Sequence, residues 1–463
     1  MLAEHFSLFV YSFKALDSLD IRLLLKDPGV PWEISNTGPD DSYCLRHIAH
    51  FLSANLGKSI EELQEEECVV LHWKNKQQLP ASIEEGPLVP MLIYLPFIQI
   101  GLLCFSVQPK EEGLTLENYS QFIHRLRVLD RGIVYRIGDW SVAGYLEQLM
   151  GSLLVHTQRL SPPRLPVFTY VRLIEEPVPP SREWLLRLAR VYSPSYKFSA
   201  QALHDESHVV ETFDNIQFAA FIEGAAIMTI VPESSGIGFL REYGHQVARN
   251  RLMWSWLLAM IQHYSLVSAA EDIASYRVHG EVIANMPAMA DPSGIAQLIR
   301  QLYHLQLKCN FTIVSHHSQQ NQFYQLCRHA LQVQPLLTDL KRGITDLNGL
   351  LVAEQQTREQ QEKEVALAGE NERSLRLNTT LGAVGIGISA AQISAGLEPN
   401  LFVAVLRWTE LNTSVSHWPH EWLLFAKEVV VLSSNLTLGC LMGLLGKWLL
   451  LKIFIRPNRH YKK

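Results

Sequence analysis

The chain has 463 residues, of which 48% are hydrophobic and 19% are charged, and its formal net charge is -6. This composition suits a protein with a large buried core and excludes a transporter built mostly of membrane spans. Nucleic acid is not an expected partner, because the acidic balance offers no clustered basic face. The 6 cysteines are scattered without a CxxC pair, so neither a disulfide framework nor a zinc knuckle is expected.

The first predicted unit, residues 1–160, is α+β. Two segments rich in β-branched and aromatic residues predict strands, and two others look helical. The strands are His5–Phe13 and Cys68–Trp73, and the helices are Cys44–Leu56 and Leu116–Leu126. The uncharged run Leu88–Val107 has the length of a membrane span, but Pro96 lies near its centre and Gly101 follows. We therefore predict two buried strands joined by a turn there.

A proline-rich break at residues 161–166 marks the start of a second predicted α+β unit, residues 161–235. An amphipathic helix is expected at Arg182–Val191, and Gly224 is expected in a hairpin or bulge. The predicted strands are Val167–Leu173, His208–Phe213 and Gln217–Val231. The order of these elements predicts a sheet with a helix on it.

Residues 236–376 are predicted to form a helical bundle and a long stalk helix. The bundle helices are Phe239–Ala274, Ile295–Leu307 and His317–Gln332. In the next helix, apolar residues recur at alternating steps of three and four, which predicts a coiled-coil seam. The seam residues are Leu337, Leu340, Ile344, Leu347 and Leu351. From Glu354 to Arg373 the same phase is mostly polar, so this part is expected to be a solvated stalk.

Two C-terminal segments have the composition of membrane spans. Val429–Gly446 is 18 residues without a charge, and Leu377–Leu397 is also uncharged although it contains polar residues. Basic residues flank both segments, whereas the connecting loop, residues 398–428, has few. The positive-inside rule then places the large N-terminal part and the tail in the cytoplasm and the loop outside. We therefore expect residues 377–463 to form a two-span, multi-pass domain of the inner (plasma) membrane.

Small or polar residues form one face of the first predicted span, at steps of four, three, four, three and four. They are Asn378, Gly382, Gly385, Ser389, Gln392 and Gly396. One interpretation is a pore wall in an oligomer, whose amide and hydroxyl oxygens replace part of an ion's hydration shell. The other is close helix packing through small residues. Asn378 and Gln392 favour an aqueous face, because an amide in contact with lipid is costly.

Other polar constellations have ordinary structural interpretations. His204 and His208 have the spacing of two metal ligands on a helix, but they precede a predicted strand and are interpreted as solvated. His317 lies at a helix start and is expected to cap it. The sequence has no nucleophile motif, P-loop or paired carboxylates in a suitable context, so an enzyme is not expected.

The complete layout resembles the CorA-type magnesium channel superfamily, and within it the divergent bacterial CorA-like proteins. The resemblance lies in the order of an α+β domain, a helical bundle, a stalk helix, two C-terminal spans and a basic end, and in the segment IQIGLLCFSV. The Gly-Met-Asn signature of the family is absent, and the corresponding residues read AGLEPN. The resemblance implies a homo-oligomer, specifically a pentamer, with Mg²⁺ or another divalent cation as transported or regulatory ion. It also implies an outer mouth at Glu398 and Asn400.

Two functions therefore remain open. The first is an oligomeric divalent-cation channel or transporter whose ion selectivity is in question because the signature is absent. The alternative is a membrane-anchored signalling or defence effector whose cytoplasmic domain senses a ligand or a partner.

Overall fold

The protein is described by a computed structural model that divides into two compact units, Met1–Leu351 and Val352–Lys463. The structure describes residues 2–16, 22, 25, 31–39, 43–63, 67–75, 79–111, 114–129, 135–160, 163–178, 180–231, 238–283, 299–300, 303–395, 429, 432–433, 436–437, 439–449 and 452. Inside three of the helices, some side chains are also left undescribed.

The first unit contains fourteen strands among its described residues. They are β1 (Leu2–Ala15), β2 (Trp32–Ile34), β3 (Val69–Trp73), β4 (Ile83–Glu85), β5 (Met91–Leu95), β6 (Ile100–Phe105), β7 (Val107–Pro109), β8 (Arg136–Ile137), β9 (Trp140–Ser141), β10 (Thr157–Arg159), β11 (Val167–Leu173), β12 (Val209–Phe213), β13 (Ile216–Phe221) and β14 (Gly224–Ile230). Ten of them form one sheet in the order β12, β13, β14, β11, β1, β6, β5, β3, β2, with β10 also paired to β1.

Strand β1 is the centre of this sheet. Phe9 is paired with Phe105 of β6 on one side and with Val167 of β11 on the other. Both faces of β1 are buried over most of its length, which explains its nearly continuous apolar sequence. The described pairs of the sheet are antiparallel except for β11 with β14, which are parallel. The chain between these two strands supplies two helices and the hairpin β12–β13.

Nine named α-helices surround or follow the sheet, and described residues 439–449 are also helical. The named helices are α1 (Arg46–Ser53), α2 (Leu116–Leu126), α3 (Val142–Met150), α4 (Ser181–Arg190), α5 (Ala200–His204), α6 (Gly238–Arg241), α7 (Met253–Ile283), α8 (Ser318–Ala330) and α9 (Val333–Ala395). Short 3₁₀ turns lie at Ile60–Glu62, Gly151–His156 and Glu206–His208, and residues 303–308 are helical.

A π-helical segment, Gly244–Leu252, joins α6 to α7. Continuous π-helix is rare in proteins and is found most often near functional sites. Gly244 begins the segment where the backbone passes close to the side chains of Tyr170 and Glu4, so that any Cβ at this position would overlap them. Glycine is therefore required for this close approach.

The sheet separates two hydrophobic cores. One core lies under α1, the π segment, α7, α8 and the first turns of α9, with Phe168 and Phe218 pointing into it from the sheet. The other lies under α2, α3 and α4, with Val167 and Val171 pointing into it. Neighbouring residues of β11 thus enter opposite cores, as the period of two in a strand requires.

Several sequence predictions of elements are confirmed. Strand Val167–Leu173 and helix Leu116–Leu126 have the predicted bounds. The run Leu88–Val107 consists of β5 and β6 with a turn at Pro96, as predicted, and both strands are buried. The helices expected to form a bundle instead pack on the sheet, because α8 contacts β12 and β13 and shares their core.

The prediction of two membrane spans is wrong for the described residues, which include no helix both long enough and apolar enough to cross a membrane. The C-terminal part of α9 has the length, but Asn378, Thr379, Thr380 and Gln392 make it too polar. The same finding contradicts three further predictions. They are the CorA-like fold with two spans, the membrane as a partner and the multi-pass location in the inner membrane. The pentamer implied by the same architecture loses its support with them. The predicted outer loop, residues 398–428, lies outside the described residues.

Candidate functional site

The residues predicted to line a pore are not gathered into a site by the described structure. Asn378, Gly382 and Gly385 lie on α9 and are exposed. Ser389 and Gln392 lie within α9, but their side chains are not among those described. The remaining three, Gly396, Glu398 and Asn400, lie outside the described residues. Their role at a pore stays a prediction.

A cavity of about 290 Å³ lies between the first turn of α8 and the π segment, and we name it the α8 cavity. Its lining divides into an apolar wall and a polar wall. The apolar residues are Phe239, Val247 and Leu252, and the polar residues are Arg251, His317, Ser318, Gln319 and Gln320. None of these lining residues is acidic. The α8 cavity therefore combines a net positive wall with a surface for a small carbon skeleton.

The start of α8 forms part of the polar wall. The first turn of a helix has no intrahelical acceptors for its amides, and here these belong to Ser318, Gln319 and Gln320. His317 occupies the capping position, but no side-chain capping bond forms there, which corrects the prediction that His317 caps the helix. The helix dipole adds a partial positive charge at the same place.

Gln320 presents a buried carbonyl that has no hydrogen-bond partner among the described residues. Its side chain is only 3% exposed, and its Nε2 donates to Ser255 Oγ at 3.1 Å. The Ser255 hydroxyl donates in turn to the Arg251 carbonyl at 3.0 Å, so it can only accept from Gln320. This bond fixes the amide orientation and leaves Oε1 without a hydrogen-bond partner among the described residues. An unpaired buried acceptor costs about 1–3 kcal/mol.

Arg251 is the cationic group of the cavity. Its guanidinium lies over the ring of Tyr43, and the Tyr43 and His317 rings are 5.3 Å apart between centroids. Arg251 Nε is buried without a hydrogen-bond partner, and no carboxylate pairs with this guanidinium in the part of the chain that the structure describes. Burial raises the pKa of the neighbouring Tyr243, and the positive charge of Arg251 opposes that rise only in part.

The opposite end of α8 leads directly into α9. Only Leu331 and Gln332 separate the two helices. The carbonyl of Leu331 accepts a hydrogen bond from His263 Nδ1 of α7 at 2.8 Å, and Gln332 has a positive φ of 51°. Burial lowers the pKa of His263, so the imidazole at this junction is neutral at pH 7. Hydrogen bonds to α7 therefore hold both ends of α8. Near its start Gln320 donates to Ser255, and just after its end the Leu331 carbonyl accepts from His263.

A second, more open cavity of about 480 Å³ lies along the other half of α8, beside β12. Glu206, Val210, Leu326 and His329 are among its lining residues. The ring of His208 lies 5.9 Å from that of His329. No group of three or more potential metal ligands occurs in the described parts of the chain. This cavity therefore offers a mostly apolar surface and lacks a metal centre within those residues.

Comparison of the sequence with protein-family models and with curated proteins gives no match. The resemblance to the CorA superfamily consequently stays an expectation from the sequence. The sequence reasoning also missed Arg251 and Gln320. Gln320 belongs to a polar run, SQQNQ, whose composition does not distinguish the buried glutamine from its half-buried and exposed neighbours.

Proposed function

We propose that the chain is a ligand-responsive regulatory protein, in which the sheet domain binds a small molecule in the α8 cavity and α8 transmits binding to α9. One observation carries the proposal: a cavity with a polar and an apolar wall lies at one end of a helix whose other end joins α9 through two residues. This proposal retains the ligand-sensing part of the alternative predicted from the sequence and does not involve a membrane.

The binding end supports a change that depends on ligand. Without ligand, Gln320 Oε1 and Arg251 Nε are buried and unsatisfied among the described residues, which disfavours the present position of the first turn of α8. A ligand that fills the α8 cavity packs against that turn and stabilises its position relative to any other. This differential interaction is what a population shift requires.

The α9 end supports transmission. α8 has thirteen residues and moves as a rigid body, so a shift at Ser318 displaces Ala330. The bond from His263 to Leu331 and the left-handed backbone at Gln332 lie at the point that absorbs this displacement. The two proposed states differ in the position of α8 relative to α7. The cation-channel function stays a prediction from the resemblance and is not developed further, because no described helix supports its spans.

The test combines a ligand screen with hydrogen exchange on the full chain. Compounds from a small-molecule panel that raise the melting temperature of the unmodified protein are retested with Ser318→Trp, which fills the cavity, and with Ser374→Trp on the exposed part of α9. We expect hits that lose their effect only with Ser318→Trp and that change amide exchange at residues 331–345. Binding without altered exchange there contradicts transmission, and hits that Ser318→Trp leaves unaffected contradict the site.

A further inference from the structure

We infer that a surface of the sheet domain, separate from the α8 cavity, binds single-stranded nucleic acid through basic side chains interleaved with aromatic rings. We name the basic residues the arginine cluster. They are His124, Arg125, Arg127, Arg164 and Arg190. None of them lines the α8 cavity, so this inference does not depend on the proposed function.

Hydrogen bonds bring three distant segments of the chain together at the arginine cluster. Leu165 N donates to the Arg127 carbonyl at 2.7 Å, which places the adjacent Arg164 beside the end of α2. His124 Nδ1 donates to the Val191 carbonyl at 2.8 Å, which joins the end of α2 to the end of α4. The fold therefore gathers basic residues that the sequence disperses.

The positive charge of the arginine cluster is not neutralised by direct ion pairs. None of its four arginines pairs with a carboxylate in the part of the chain that the structure describes. Burial, and then the positive charges of the neighbouring arginines, lower the pKa of His124. Glu223 partly offsets the field at Arg127 without forming an ion pair with it. The surface around α2 and α4 thus carries an excess of positive charge.

Arg127 is the buried member of the cluster and adds a fixed charge to this field. It is 1% exposed, and its Nε has no hydrogen-bond partner among the described residues. Burial, and then the charge of Arg164, lower the pKa of Arg127 to about 10, so its guanidinium stays cationic at pH 7. A buried cation is costly unless an opposite charge approaches it. Arg125 and Arg164, which are exposed, are the residues that contact the anion.

Aromatic rings lie next to these cations. The guanidinium carbon of Arg125 lies 5.5 Å from the centre of the Tyr135 ring, and that of Arg190 lies 5.7 Å from the centre of the Tyr192 ring. The ring of Tyr192 is in turn 6.0 Å from that of Tyr196, which is 62% exposed. Guanidinium groups bind phosphates, and exposed aromatic rings stack on bases.

This combination of cations and rings favours a single strand over other polyanions. A single strand alternates phosphates with unstacked bases, so it satisfies both kinds of group. A duplex hides its base faces, and an acidic peptide contacts the arginines but has no bases to stack on the rings. The net charge of -6 made nucleic acid an unexpected partner, because the total charge does not reveal a local basic surface.

Fluorescence anisotropy with the full chain tests this class of partner. The probes are labelled single strands of thymidine or uridine, about twelve nucleotides long, a DNA duplex of the same length, and a polyglutamate peptide. We expect a single strand to bind at least tenfold more tightly than the duplex or the peptide. Its affinity should fall about tenfold when salt rises from about 50 mM to about 200 mM, as two or three phosphate contacts require. Duplex or peptide binding as tight as that of the single strands, or no binding by any probe at the lower salt concentration, overturns the inference.

Variants of exposed residues assign the contacts. Arg125→Gln combined with Arg164→Gln should weaken the single strand at least tenfold and reduce its salt dependence. Tyr196→Ala should weaken it several-fold without changing the salt dependence, because the ring contributes by stacking. The control combines Lys341→Gln with Arg342→Gln, which removes the same charge from exposed positions of α9 and should leave affinity unchanged. Equal losses in the two double variants contradict the site.

Discussion

The long helices α7 and α9 differ in how far their apolar residues are buried. Residues 253–266 of α7 are buried on every side, because the sheet lies against one face and α8 and the start of α9 cover others. Among the described side chains of α9, those in its first turns and Ala383 are buried, and from residue 352 to residue 382 they are exposed apart from the half-buried Thr379. A helix without a charged face requires protein or lipid around it, and for residues 253–266 of α7 the protein supplies it. An uncharged stretch alone therefore does not distinguish a core helix from a membrane span.

The beginning of α9 makes the same point about the heptad pattern. Leu337 and Leu340 are buried in the core that α7 and α8 share, and Ile344 packs at its edge. The spacing of three and four correctly predicts a helix with a buried stripe. It does not identify the surface that buries the stripe, because a sheet domain of the same chain serves as well as a second helix.

The largest effect is expected from truncating the buried part of α7. Trp256 is 1% exposed and its ring lies 5.7 Å from that of Phe168. Trp256→Ala should lower the free energy of unfolding by about 3–5 kcal/mol, since it leaves a cavity in the core. Val365→Ala on α9, where the side chain is 72% exposed, should change it by less than about 0.5 kcal/mol. Urea denaturation measures both, and comparable losses would show that α9 is covered along its length.

The next largest effect distinguishes two surfaces that could bury the heptad seam of α9, namely the sheet domain of the same chain and a second copy of the chain. Leu337→Ala should cost about 2–5 kcal/mol, because the side chain is buried in the core of its own chain. Leu375→Ala, on the exposed part of α9, is the matched control and should cost far less. The melting temperature of the unmodified protein should not depend on protein concentration. A midpoint that rises with concentration would mean that a second copy buries the seam.

The sequence predicts much more of the elements than of the site. Strand Val167–Leu173 and helix Leu116–Leu126 are recovered because residue type and its periodicity are local signals. The parallel pairing of β11 with β14 is not recovered, since it depends on the chain that lies between them. The same limit applies to the α8 cavity, where distant segments bring Arg251 and Gln320 together.

A smaller effect concerns the junction where α7, α8 and α9 meet. Burial lowers the pKa of His263 from its ordinary value of 6.5, so below that value the unfolded chain binds a proton that the folded protein does not. Stability should therefore fall as the pH drops below about 6.5, by at most about 1.4 kcal/mol per pH unit for this group. His263→Asn retains a donor for Leu331 and should flatten this dependence.

The control for this pH dependence is His245→Asn, which changes an exposed histidine of the π segment. Its unfolding free energy should follow that of the unmodified protein between pH 7 and pH 5. Two half-buried histidines, His5 and His72, also have pKa values that partial burial lowers, and they contribute to the remaining slope. If the unfolding free energy of His263→Asn depends on pH as steeply as that of the unmodified protein, the acid sensitivity arises from other groups and not from His263.

The smallest effect tests whether the exposed part of α9 is helical without packing against another surface. Gly369 lies in the middle of this part, and a Cβ added there meets no neighbouring atom within 4 Å. Gly369→Ala should therefore stabilise the helix by about 0.5–1 kcal/mol, because alanine loses less backbone entropy than glycine. Slower amide exchange around residue 369, without a change in the unfolding of the sheet domain, is the expected result. A destabilised variant would mean that another surface covers α9 at Gly369, and the contrast between α7 and α9 would then hold only for the isolated chain.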